Sequence, residues 1–360
     1  MNVASELLLE ATTRIGDAGC WLVLGGDPAV PVELALRYPG SVVRWVPLNV
    51  PDHDRVRRIV SGHPVENLEV WDDPATPVEP EDMFDAVVFE TSLHRPLVRR
   101  WLAHARLVLA DGGWVFLAGA NDAGVRSAIG DAKRLFGHPV SDDYRRHHRV
   151  TGFQRSGDPD EAPYWLEHPG IAPRTWQSFQ VDVRSQAFAL DTLPGVFPGD
   201  RLDAGTALLL EHMAVPPGVR VLDAGCGTGI IGLLAARIGA NHVDLIDVNL
   251  LAVAVASRNL GTNGITSGRV VASDIFSGLG DARYDLIVSN PPFHQGKAID
   301  LSMPDRLISE APGHLLAGGS LMIVANSFLR YERQMRRVFG HVETVVATRQ
   351  YHVIAARDPR

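Results

Sequence analysis

Apolar residues in the second half of the chain gather into short β-rich runs separated by stretches of helical period, the pattern of a parallel sheet with helices on both faces. The runs predict strands at 219–224, 242–248, 269–274, 284–290 and 320–326. Two more, 341–348 and 350–357, follow each other so closely that they must form an antiparallel hairpin at the sheet edge. Helices are expected over 229–238, 250–261, 303–316 and 330–339.

The first half repeats this plan. Segments 200 positions apart align without a gap: Trp21-Leu22-Val23-Leu24-Gly25-Gly26 mirrors Val221-Leu222-Asp223-Ala224-Gly225-Cys226, and Phe84-Asp85-Ala86-Val87-Val88 mirrors Tyr284-Asp285-Leu286-Ile287-Val288. With a six-residue slip, Ala110-Asp111-Gly112-Gly113-Trp114 mirrors Leu316-Ala317-Gly318-Gly319-Ser320. Two copies of one α/β unit are the simplest account. Between them Gly157-Asp158-Pro159, Pro163, Pro169-Gly170 and Pro173 break any long periodicity. The expected organisation is therefore one unit over 1–150, a linker or extended edge over 151–190 and a second unit over 191–360.

Composition narrows the class. With 360 residues, 46% of them hydrophobic, the chain can bury two ordinary cores. No apolar run approaches the roughly 20 residues that span a bilayer, and Met1 to Glu10 lacks a secretory pattern, so a cytoplasmic protein without a membrane partner is expected. Cys20 and Cys226 stand far apart with no Cys/His cluster, so neither a disulfide nor a metal site is indicated. A net charge of −8 argues against indiscriminate nucleic-acid coating. Most of the excess acid is N-terminal: residues 1–180 carry 18 basic against 25 acidic side chains, residues 181–360 carry 16 against 17. Two local basic runs matter more: Arg145, Arg146, His147, His148, Arg149, and Arg330, Arg333, Arg336, Arg337. Each is a candidate RNA contact, with a solvated surface as the ordinary alternative.

Asp223-Ala224-Gly225-Cys226-Gly227-Thr228-Gly229 follows a hydrophobic strand and opens a helix, where Gly225, Gly227 and Gly229 let a ligand approach the backbone. This loop alone serves S-adenosylmethionine or a dinucleotide. Asp247 ends the next strand, where a carboxylate accepts from ribose hydroxyls in either cofactor. Asp274 closes the third strand and can accept from an adenine amino group, or cap a surface turn. Three acids so spaced favour S-adenosylmethionine.

Asn290-Pro291-Pro292-Phe293 after the fourth strand is the most specific element. The prolines cannot continue a central ladder, so they make a rigid open corner at the strand's carboxyl end. Asn290 Oδ1 and the Pro291 carbonyl can then accept both hydrogens of one planar NH2 group, holding the amine towards a sulfonium methyl. Phe293 would stack on a base swung out of its strand.

Thr192-Leu193-Pro194-Gly195-Val196-Phe197, Leu202-Asp203-Ala204-Gly205, the glycine loop, Asn290-Pro291-Pro292-Phe293-His294 and Val324-Ala325-Asn326 together resemble the ribosomal RNA small-subunit guanine-N2 methyltransferase C family. The related large-subunit methyltransferase G also reads with His-Gln after the aromatic, as His294-Gln295 does here. The resemblance covers 185–360 strongly and 1–150 in architecture alone. It implies tandem Rossmann-like class I methyltransferase domains, the first degenerate. The second would bind S-adenosyl-L-methionine and methylate a guanine amine of ribosomal RNA, most simply as a monomer. Phe197 and Asp203 are expected to cover the methionine end of the donor; for Asp203 the alternative is capping a helix over 204–213. No dedicated base is required, so His294 and His314 get no such role.

The first copy has lost these groups. Val23 replaces Asp223, Asp27-Pro28-Ala29 replaces Gly227-Thr228-Gly229, and Glu90-Thr91-Ser92 replaces Asn290-Pro291-Pro292. It should not bind the donor, and Trp101 and Trp114 read as core. The same Asn-Pro-Pro corner suits adenine-N6 or a release-factor glutamine, and an idle RNA-binding or assembly protein is the rival from another class.

Overall fold

The computed structural model describes residues 1–62, 65–79, 81–157, 161–292, 294–295, 298–299 and 302–360. Phe293 lies outside them. The chain divides into two compact units, Met1–Gln177 with Leu193–Gly195, and Ser178–Thr192 with Val196–Arg360.

The first unit runs α1 (Val3–Thr12), β1 (Cys20–Leu24), α2 (Ala29–Arg37), β2 (Val42–Val46), α3 (Val50–Gly62), β3 (Leu68–Val70), β4 (Phe84–Glu90), α4 (Arg95–Val108), β5 (Leu109–Ala120), α5 (Val125–Phe136), β6 (Ser141–Arg145) and β7 (His148–Gln154). Its sheet order is β3-β2-β1-β4-β5-β7-β6, parallel except where β7 joins β5 and β6.

The second unit opens with the strands β8 (Gln177–Val183) and β9 (Gln186–Thr192), then α6 (Ala204–His212), β10 (Arg220–Ala224), α7 (Ile230–Ile238), β11 (His242–Asp247), α8 (Leu250–Thr262), β12 (Gly268–Ala272) and β13 (Tyr284–Ser289). The short pair β14 (His294–Gln295) and β15 (Ala298–Ile299) precedes α9 (Ser302–Glu310), β16 (Leu315–Asn326), α10 (Tyr331–Val338), β17 (Phe339–Ala347) and β18 (Tyr351–Pro359). The order β12-β11-β10-β13-β16-β18-β17 reproduces the first sheet strand for strand.

The repeat extends to register. Trp21 pairs with Ala86 as Val221 pairs with Leu286. In each unit the carboxylate of the second residue of the fourth long strand takes the first strand's leading amide: Asp85 Oδ2 from Cys20 N and Asp285 Oδ2 from Arg220 N, both at 2.8 Å. The backbone pairing is thus the same in both units, although Val23 and Glu90 stand where Asp223 and Asn290 stand in the second. Val221, Leu222, Ile287, Val288 and Leu321 fill the second core from both sheet faces, and each full burial contributes on the order of 2 kcal/mol.

The structure refines two of these expectations. The stretch 151–190, expected as a linker or extended edge, is structured over much of its length. It contains most of β7, a 3-10 turn at Tyr164–Glu167 and the β8–β9 hairpin, whose turn residues Arg184 and Ser185 both adopt positive φ. That hairpin belongs to the second unit, and the first unit runs from Met1 to Gln177 with Leu193–Gly195. The helix expected over 303–316 stops at Glu310 and tightens to a 3-10 turn at Ala311–His314, because Pro312 and Gly313 cannot extend it. The closing hairpin forms as expected, with β18 between β16 and β17.

In this topology the chain leaves β10 outward to β11 and β12, then returns to β13 on the other side. Ligands of open parallel sheets bind beyond the carboxyl ends at such a switch point. The loops after β10 and β13 are the glycine loop and Asn290-Pro291.

Candidate active site

After Ala224 the backbone turns through Gly225, Gly227 and Gly229 at φ 74°, 55° and 84°, values that side chains resist. Gly225 N and Cys226 N both donate to Ile246 O at 2.9 Å, fastening the loop to β11. A Cβ on Gly227 would collide with the Phe197 carbonyl oxygen. The segment carrying Phe197 therefore crosses directly over the loop, with the Phe197 ring largely exposed.

Asp223 is fully buried at the end of β10. Its Oδ2 accepts from Gly232 N at 2.9 Å, tying strand to helix, while Oδ1 is buried with no partner among the described residues. Burial pushes this carboxyl up to about 7; the Gly232 amide opposes the shift and the charge of Asp247 adds to it. Asp247 accepts from Gly227 N through Oδ2 and from Asn249 N through Oδ1, each at 2.9 Å. Burial raises its carboxyl too, against the pull of these amides. The Val248 amide also bonds this carboxylate, which stands at the carboxyl end of β11. Asp274 lies two residues beyond β12, with Oδ1 and Oδ2 at 3.1 and 3.0 Å from Arg306 Nη1.

At the neighbouring corner Ser289 Oγ donates to Ala224 O at 2.6 Å, locking the end of β13 to the start of the glycine loop. Asn290 follows. Its Nδ2 donates to Thr206 Oγ1 at 2.8 Å and to Asp203 Oδ2 at 3.2 Å. Asp203 also caps α6 by accepting from Thr206 N at 2.9 Å. An ionised carboxylate only accepts, so the amide must turn its NH2 towards Asp203 and present Oδ1 away from it. No described residue donates to that Oδ1. Pro291 is buried and Pro292 exposed, which sets the corner rigidly at the rim.

Residues 187–355 match the family model Methyltransferase small domain. Ribosomal RNA small subunit methyltransferase C of Hamiltonella defensa is 34% identical over 76% of this chain and 76% of that protein. The protein of the same name from Pseudomonas paraeruginosa is 38% identical over 69% of this chain and 72% of its own length. The chain belongs to the ribosomal RNA small subunit methyltransferase C family. Its structure superposes on the T. thermophilus 16S rRNA N2 G1207 methyltransferase, solved in complex with AdoMet and guanosine, with a TM-score of 0.79 and 25% identity, over 99% of this chain and 92% of that one.

In this methyltransferase C chain, sequence reasoning placed the glycine loop, Asp223, Asp247 and Asn290 at one edge. It missed Thr206, Asn249, Ser289 and Asn259. Thr206 stands three residues after Asp203, the spacing of a helix cap, and that was the available signal. Asn259 is fully buried and gives its amide to Thr228 O and Asp191 O, both at 2.9 Å, while Oδ1 accepts from Asp191 N at 2.8 Å. It therefore joins the glycine loop to β9, a link of 68 residues that no local pattern carries.

The first unit shows how the same edge was closed. A Cβ on Gly25 would meet Leu48 Cδ1 at 2.9 Å and Trp101 at 3.2 Å, so these side chains fill the space over the turn. Glu90, at the position of Asn290, accepts from Ser5 Oγ at 2.7 Å, Asn2 Nδ2 at 3.0 Å and Asp27 N at 3.2 Å. The polarity is inverted: an acceptor at the strand end now faces donors from the first helix. Trp101 is buried core, and Trp114 is partly buried and stacks on Phe116 with ring centres 5.5 Å apart.

Proposed function

We propose that the chain methylates the exocyclic N2 of a guanine in 16S ribosomal RNA, the reaction named for its T. thermophilus relative at G1207. The observation that carries this is the orientation of Asn290. With Nδ2 committed to Asp203 and Thr206, Oδ1 is an acceptor aimed from the rim of the switch-point cleft.

S-adenosylmethionine supplies an electrophilic sulfonium methyl when bound. The residues present fit it. Asp247, at the carboxyl end of β11, is placed to accept from the ribose hydroxyls, and Asp223 Oδ1 is a buried acceptor without a partner among the described residues. At Gly225 a Cβ would touch the flexible end of Met303, its Cε at 3.5 Å. Asp274 would take the adenine amino group, sharing its carboxylate with Arg306. Phe197 and Asp203 frame the methionine end.

On the substrate side Asn290 Oδ1 and the Pro291 carbonyl accept the two N–H groups of the guanine amine. Such an amine is a poor nucleophile because its lone pair is delocalised into the ring. Two fixed acceptors favour a pyramidal nitrogen and aim its lone pair at the methyl, which is catalysis by orientation and electrostatics. Phe293 is assigned to stacking on the flipped base. The methylated arylamine surrenders its proton to water, so no histidine and no metal is needed. We place the enzyme as a monomer in the cytoplasm, where its RNA is made.

Mass mapping of 16S rRNA from cells lacking the protein tests the reading. One guanine should lose its N2 methyl group, and the purified protein should restore it. Loss of an adenine-N6 or glutamine methyl group, with guanines unchanged, would replace this reading.

A further inference from the structure

We propose that one face of α10 binds phosphates of the ribosomal RNA strand flanking the target guanosine, which rests on the methyltransferase reading above. The two basic runs of the chain have different fates. In the first unit Arg145 is paired with Glu10 and Glu6, Arg149 with Asp142, and nearby Arg14 with Asp143. Arg145 and Arg149 are thus paired where they stand, while Arg146 is exposed with no ion pair among the described residues. In the second unit Arg330, Arg333 and Arg337 are exposed, and no acidic group among the described residues pairs with them. The acid of the same helix, Glu332, is held at 3.2 Å by His352 Nδ1 and largely buried.

Arg330, Arg333 and Arg337 fall at helical spacing on one face and line a pocket of about 330 Å³ with Leu329, Tyr331 and Gln334. From Arg330 to Arg337 the rise is about 10 Å at 1.5 Å per residue. The row starts at the catalytic edge. β16 runs parallel to β13, with Ile323 beside Ser289, and ends at Asn326, four residues before Arg330. Ser327 N and Oγ donate to Gln350 O at 2.8 Å and Arg349 O at 2.9 Å, bringing the exposed Arg349 to the same edge. β16 and β18 lie one and two strand widths from β13, about 5 and 10 Å in the plane of the sheet. A strand delivering its base to Asn290 must leave along one side of the cleft, and this side offers unneutralised guanidinium forks suited to phosphate.

The test measures how affinity depends on salt for an RNA oligonucleotide carrying the target guanosine and its neighbours. Each lost phosphate contact lowers the slope of log K against log salt by roughly 0.7–0.9. The triple variant R330Q/R333Q/R337Q should therefore have a slope shallower by about two to three and bind at least about tenfold more weakly at moderate salt. Its affinity for S-adenosylmethionine should stay within about twofold, which also reports that the variant is folded. The triple lysine variant should keep the wild-type slope, and so should R145Q, whose guanidinium is already paired. A triple glutamine variant with wild-type slope and affinity overturns the surface assignment while leaving methylation by the wild type intact. Failure of the wild type itself to bind and methylate the RNA overturns the reading beneath it.

Discussion

Asn290 Nδ2 lies 3.2 Å from Asp203 Oδ2, across 87 residues of sequence, and this contact sets the orientation of the amide. In the proposed reaction Asp203 would position Asn290 as well as cap α6. Replacing it by alanine frees the amide to rotate, and misplacement of an orienting acceptor costs about 10- to 100-fold in rate. Asp203→Ala should lower the single-turnover methylation rate by that factor with the donor saturating. Thr206→Val, which removes the second acceptor for Nδ2, should act in the same direction more weakly. Unchanged rates in both would assign Asp203 to capping alone.

Asp247→Ala should weaken S-adenosylmethionine binding by about 2–4 kcal/mol, since two hydrogen bonds to an ionised acceptor are lost along with its hold on Gly227. Calorimetry on the full chain should find about one donor site before the change. Leu48→Ala, which opens the filled turn of the first unit, should not create a second. A stoichiometry near two would contradict the assignment of a single site.

The sequence exposed those parts of the site whose chemistry is local. Gly225, Gly227 and Gly229 follow a strand by necessity of backbone conformation, and Asn290-Pro291 marks a strand end because proline cannot extend the ladder. Asp203–Asn290 was not legible, because the contact depends on where α6 packs. Nor did the basic runs reveal their difference, since neutralisation of Arg145 by Glu10 depends on partners 135 residues away. The β8–β9 hairpin was obscured by the prolines and glycines preceding it.

Asp223 should give the protein a distinctive stability profile. Its folded pKa of about 7 lies well above the ordinary carboxylate value, so between roughly pH 4 and pH 7 the folded state holds a proton that the unfolded chain has released. Through this group, stability falls as pH rises across that window, by up to about 1.4 kcal/mol per pH unit, and levels off above it. Asp247, raised in the same direction, adds to the trend. Urea titrations of wild type and Asp223→Asn across the window should show wild type gaining stability relative to the variant as pH falls. A constant difference would mean that Asp223 is ionised throughout.

The most direct measurement is single-turnover methylation of 16S rRNA or its subunit by Asn290→Ala, with S-adenosylmethionine saturating and its dissociation constant measured in parallel. Loss of one of two coupled acceptors for the guanine amine should cost about 100-fold or more in rate. Donor affinity should stay within a few-fold, because Asn290 faces the amine and not the cofactor. Asn290→Asp, which keeps an acceptor but sets a second carboxylate against Asp203, should retain more activity than the alanine variant. A wild-type rate in Asn290→Ala would contradict the account and remove Asn290 from the reaction.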